Sequence, residues 1–259
     1  MDLFKQFDTY SLKARVFPAL IAGLPTLALL FAIVPWDHFG ISHAIAAAMG
    51  AVLLFAFADM ARHRGRVVQM QLGTGATPEQ WHRGNPDVPE ISKDTFRDHV
   101  ARQLKRSAPT SEDEQADPAR ANDFYLSANA WLRDRTRDTR AFSLLFSENV
   151  TYGFRRNLLG LKLAGLVLNF LVLMFCSGIL WFRPTYFAAL PNLEEKLTFI
   201  IAAVLLHSAY LVFAVGKAAV RDASRAYGRQ LILSTEALMK KTSGAPKGTK
   251  ASSRSDGLR

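Results

Sequence analysis

Leu163–Phe182 reads LAGLVLNFLVLMFCSGILWF, twenty residues without a charge. A helix rises ~1.5 Å per residue, so ~20 apolar residues cross a ~30 Å hydrocarbon layer. A buried helix of a water-soluble protein normally keeps a polar stripe, and this stretch has none. Three more stretches are similarly apolar, the second of them uncharged until Asp59. Val16–Pro35 is VFPALIAGLPTLALLFAIVP, Gly40–Met60 is GISHAIAAAMGAVLLFAFADM, and Leu197–Gly216 is LTFIIAAVLLHSAYLVFAVG. The expected fold is an all-α membrane protein: four transmembrane helices with a mostly helical cytosolic insertion between the second and third. The expected segments are an N-terminus over 1–15, two spans within 16–61, the insertion over 62–160 and two spans within 161–216. A basic amphipathic helix over 217–241 and a disordered tail over 242–259 complete the chain.

The first apolar stretch is too long for the core of a cleaved signal peptide. Asp2 and Asp8 precede it and no small-residue cleavage site follows, so it is expected to remain. Basic residues set the topology. Lys5, Lys13 and Arg15 precede the first span, whereas the turn Trp36–Phe39 has no Lys or Arg. The turn Arg183–Lys196 balances its two basic residues against Glu194 and Glu195. Both termini and the insertion are therefore expected in the cytoplasm. Trp36, Phe39, Trp181, Phe182, Tyr186 and Phe187 serve as interfacial anchors at the outer ends.

The chain has 259 residues, 49% of them hydrophobic and 21% charged, with a formal charge of +10. Its single cysteine, Cys176, excludes an internal disulfide and any site built from several cysteines. The insertion Arg62–Lys162 holds 17 basic and 13 acidic residues and is nearly balanced. The segment from Lys217 onward holds ten basic against three acidic residues and carries most of the excess. There Lys217, Arg221, Arg225 and Arg229 recur every fourth residue beside Ala219, Ala223, Tyr227 and Leu231. This spacing predicts that the fourth span runs on as an amphipathic helix facing anionic phospholipid. No aromatic platform or recognition motif favours nucleic acid.

Within the insertion, Ser92 is placed to cap a helix carrying Phe96, Val100 and Leu104. The acid-rich Pro109–Asp117 should interrupt it, and Asp117-Pro118 should open another helix with Ala121, Tyr125, Ala128 and Leu132 on one face. Arg133, Arg135, Arg137 and Arg140 follow, alternating with Asp134 and Asp138. These arginines read either as a solvated face with weak local pairs or as a docking surface for an anion or acidic partner. Arg155 and Arg156, at the entrance to the third span, are placed for lipid phosphate.

Polar groups at membrane depth are candidates for function. Asn169 lies 13 residues in from Phe182 and His207 11 residues in from Lys196. These separations place them at ~20 and ~16 Å from the same face on consecutive spans, close enough to pair. The pair reads as structural glue or as a proton or ion relay. Pro25 should bend the first span and free a carbonyl. Ala46/Gly50 and Ala47/Ala51 are small-residue pairs that permit close helix packing or a homo-oligomer. Phosphate-loop, dinucleotide-binding, HExxH and GxSxG motifs are absent, and neither a metal nor a cofactor is expected. Ser177 and His207 differ in depth by about 9 Å, too far for an intramembrane serine protease.

Residues 117–160, DPARANDFYLSANAWLRDRTRDTRAFSLLFSENVTYGFRRNLLG, resemble a group of bacterial four-span inner-membrane proteins with a WLR…TRD…ENxxYGFRRNLLGLK pattern. The group's Gly-Gly-x-Pro-Thr-Thr turn has a counterpart at Gly73–Pro78, where Thr74 splits the glycines and Pro78 is displaced. The resemblance implies an inner-membrane protein and supplies no activity. The leading expectation is a sensor or scaffold whose cytosolic module binds a partner or anionic signal without catalysis. The alternatives are an oligomeric pore-forming effector gated by that module, and a membrane enzyme or carrier for a lipid or small solute.

Overall fold

The computed structural model describes residues 9–34, 43–187 and 190–243, and their side chains except those of 43–49 and 242–243. Lys5, the Trp36–Phe39 turn, the Ala46 and Ala47 side chains and nearly all of the 242–259 tail lie outside the described residues. The described chain is helical, without strands: α1 (Thr9–Ile33), α2 (His43–Leu72), α3 (Glu90–Leu104), α4 (Ser111–Ala116), α5 (Pro118–Arg135), α6 (Ser143–Phe182), α7 (Leu193–Phe213) and α8 (Lys217–Ser243). Of these, α1, α6 and α7 are long and apolar enough to cross a membrane. The fourth expected span, Gly40–Met60, begins outside the described residues and is not among the three.

The chain divides into two compact units, one of residues 1–77 and 143–230, the other of 78–142 and 231–259. Residues 62–77 and 143–160, expected in the insertion, thus belong to the unit that contains the apolar helices. In this first unit the spacing of three and four along α6 turns Asn169, Val172, Cys176 and Ile179 inward. The three apolar ones pack with Leu197, Ile200 and Val204 of α7 and Leu29 of α1. Phe170, Leu171 and Met174, on the opposite face of α6, are exposed, as are Phe199 and Leu206 of α7 and Leu24 and Phe31 of α1. Both faces of these helices are therefore apolar, one against protein and one unsatisfied by it.

Helices α2 and α6 meet where neither has a side chain to separate them. A Cβ on Gly160 would stand 2.7 Å from the Arg64 carbonyl carbon and 2.8 Å from the Gly65 nitrogen. A Cβ on Gly165 would lie 3.2 Å from the Ala22 oxygen, so α6 and α1 also approach by their backbones. Gly50, by contrast, is exposed with open space around it.

Three expectations about helix ends change. Helix α7 stops at Phe213 and α8 starts at Lys217, so the fourth span does not run on without a break. The apolar-to-basic pattern continues across the break, but Gly216 weakens the helix there, and Lys162 of α6 supplies partners for the freed carbonyls. Its Nζ donates to the Val212 and Val215 oxygens at 3.0 and 2.8 Å.

In the second unit α3 begins at Glu90, and Ser92 lies inside it. The extended Pro89 takes the cap position, its carbonyl accepting from the Ser92 and Lys93 N–H groups. Lys105, left-handed at φ 53°, ends that helix. Pro109–Asp117 is not simply a break: Thr110 and Asp113 form a reciprocal capping box that starts α4. Asp117 caps α5 by accepting from the Arg120 N–H at 3.0 Å, and Ala121, Tyr125, Ala128 and Leu132 form its buried face.

Candidate functional site

The Tyr152–Gly160 segment of α6 is a junction. Tyr152 shares a 3.0 Å hydroxyl hydrogen bond with Thr74 and lies parallel to Tyr227 of α8, ring centroids 6.1 Å apart. Gly153 admits Tyr10 and Ala14 of α1, whose atoms would crowd a Cβ there. Arg156 donates to Gln69 of α2 and sits 5.3 Å over the Tyr152 ring. Asn157 donates to the Ala14 carbonyl, presented by a wide π turn at Leu12–Val16. Gly75 and Ser224 bond twice, the Gly75 N–H donating to the Ser224 hydroxyl at 2.8 Å and that hydroxyl donating back to the Gly75 carbonyl. Arg156, expected against lipid phosphate, is thus engaged inside the unit, and the Gly73–Thr77 turn is tied to both α6 and α8.

Arg155 points elsewhere. It is exposed, and one guanidinium nitrogen donates to the Ala219 carbonyl of α8 at 3.1 Å. Beside it lies a cavity of about 280 Å³ lined by Phe154, Leu158, Tyr210, Val215 and Asp222 among others. On α8, Arg221, Arg225 and Arg229 are exposed while Ala223 and Tyr227 are buried. Sequence spacing indicates this division.

Deep in the apolar helices, the structure brings Asn169 and His207 together. Asn169 Nδ2 lies 3.0 Å from His207 Nδ1 and donates to the Ser208 hydroxyl at 2.8 Å. Ser208 is a member that spacing alone does not single out. Pro25 has no N–H for the Ile21 carbonyl four residues earlier, and the Ile21 backbone is the ring's other polar neighbour, short of full hydrogen-bond geometry. One cluster therefore joins α6 and α7.

In the second unit, Arg133, Arg135, Arg137 and Arg140 are all exposed. Arg137 pairs with Asp134 at 2.8 Å, and Arg135 lies 5.9 Å over the Trp131 ring. Two Asp138 contacts, with the Arg140 and Ala141 N–H groups, hold its carboxyl below the usual range.

The buried charges of this unit are elsewhere, and no motif announces them. Lys93 and Arg97 are almost wholly enclosed. Lys93 Nζ donates to the His82 and Asn85 carbonyls at 2.6 and 2.9 Å and pairs with Glu90 at 2.8 Å. Arg97 donates to the Trp81 carbonyl and pairs with Glu90 and Asp94. Burial alone would raise the Glu90 carboxyl, but hydrogen bonds from Lys93 and Arg97 outweigh it and hold it low. Glu114 accepts from Arg83 and from Tyr125. Burial, then that bond, pushes the Tyr125 phenol up. Burial and the Arg102 charge keep His99 below the usual imidazole value.

Among the described residues no group of His, Cys, Asp and Glu is placed to hold a metal ion. No protein-family model, curated protein or solved structure matches the chain.

Proposed function

We propose that the chain is an integral protein of a bacterial inner membrane, with four spans and with both termini and the second unit in the cytoplasm. It acts as a sensor or scaffold: the second unit docks a protein partner or an anionic signal, and the spans anchor it or relay the event. The chain is proposed as a member of the group that its YGFRRNLLG segment resembles.

The observation that supports the docking role is a contrast within the second unit. The interior cations Lys93 and Arg97 are used up on backbone carbonyls and carboxylates. The row from Arg133 to Arg140 stands exposed on and after the last turn of α5. Arginine suits such a surface because its planar fork pairs with carboxylate or phosphate in two bonds. The pore and carrier readings draw on Asn169 and His207, whose hydrogen bonds to each other and to Ser208 favour a structural role.

Detergent-solubilised full-length protein, used as bait beside a variant with all four arginines changed to Ala, tests the proposal. The expected result is a reproducible partner or anionic ligand that the variant loses. Recovery of the same set by both proteins, or of nothing reproducible by either, overturns it.

A further inference from the structure

The cavity beside Arg155 has a composition that singles out one kind of occupant. Its floor is apolar, from Phe154 and Leu158 of α6 and Val215 after α7. Its polar wall carries a cation and an anion, Arg155 and Asp222. One Arg155 nitrogen is engaged by the Ala219 carbonyl, and a guanidinium has five N–H donors, so donors remain for a phosphate. Lys162, held on the Val212 and Val215 carbonyls, adds positive charge at the same end of α7. Asp222 is exposed and acceptor-only when ionised. A purely anionic headgroup would meet its like charge, whereas a primary ammonium would meet a partner.

We infer that this cavity binds the headgroup of an ethanolamine phospholipid, its phosphate toward Arg155 and its ammonium toward Asp222. The inference rests on the membrane reading above. A lipid fits better than a soluble phosphorylated amine because the cavity opens where the apolar run of α7 ends. Val212 and Phe213 are exposed there, Phe213 at 86%, and offer a surface for acyl chains. A volume of about 280 Å³ suits a headgroup and not a whole lipid.

The test uses the full-length protein in vesicles of equimolar phosphatidylethanolamine and phosphatidylglycerol, followed by gentle extraction and native mass spectrometry of the lipid retained. Wild type should retain the ethanolamine lipid over the glycerol lipid by about fivefold, and Arg155→Gln should lower retention of both by about as much. Asp222→Lys should invert the preference, a gain that misfolding does not produce. Equal retention of the two lipids by wild type, or an unchanged ratio in Asp222→Lys, overturns the assignment. Displacement of the lipid by soluble phosphoethanolamine at equal concentration also overturns it, since the site would then read a headgroup from solution. Alkaline washing of the same vesicles separates the two readings. A chain that washes off defeats the membrane reading and this inference together, while a chain that stays without preference defeats this inference alone.

Discussion

Within its apolar helices the first unit relies on few polar groups, and the second unit is organised around charges. In the first, Gly160 lies against Gly65, Gly165 lies near the Ala22 backbone, and one Asn–His–Ser cluster links two helices. In the second, Lys93 and Arg97 lie at the centre and reach carbonyls on the Pro78–Asn85 stretch. Each suits its proposed solvent. Between helices in lipid there is no hydrophobic gain from association, so close backbone approach and a few hydrogen bonds do the joining. In water a buried charge is tolerated when its donors are satisfied, and a buried cation that ties several carbonyls shapes an otherwise irregular loop.

Substitutions can break this contrast. Gly160→Leu has the largest expected effect, because the Arg64 and Gly65 backbone must move to admit it. Overpacking of that severity costs about 3 kcal/mol or more, and thermal unfolding in detergent should show it. An unchanged midpoint would mean that α2 and α6 do not touch there. Lys93→Met leaves the His82 and Asn85 carbonyls without their donor. Glu90, 41% exposed, can turn to water, so the loss should sit near 3 kcal/mol, the low end for a broken buried pair. Protease protection of the second unit would measure it, and a neutral outcome would show that packing alone holds the loop.

Asn169→Leu comes next, at roughly 0.6–2 kcal/mol for an interhelical hydrogen bond in lipid. Unchanged folding and helix association in detergent would rule out the structural role and reopen the relay. The smallest expected effect is a pH dependence in the second unit. Glu90 and His99 both have lowered values in the folded state. For each, the stabilising contribution is present above the ordinary value, 4.5 or 6.5, and is lost as the pH falls through the lower folded value. Unfolding midpoints of the second unit should fall on acidification below pH 6.5 and again below 4.5. Glu90→Gln should flatten only the second of these declines; retention of both would reassign it.

Much of the first unit is readable in one dimension, because an uncharged stretch of twenty residues has few other uses. The depths of Asn169 and His207 follow from counting along two antiparallel helices, and the Asp117 cap from its following proline. What escapes is pairing at long range. Gly65 and Gly160 are 95 positions apart, and nothing local says that they meet. Arg156 reads as a headgroup ligand because arginines beside a span usually are, yet Gln69 and Tyr152 claim it. Lys93 and Arg97 look like surface residues on a helix whose exposed face also carries charges; only the fold shows that α3 turns them inward. The Phe213–Lys217 break is hidden for another reason: hydropathy and charge change smoothly across it.

At that elbow, the ammonium that holds two carbonyls comes from a neighbouring helix. The passage from α7 to α8 is thus tied to α6 as well as to the three residues of the bend. An inserted residue between Val212 and Val215 would change the spacing of the two carbonyls that Lys162 holds. The bend works as a clasp whose pin is carried by a third party.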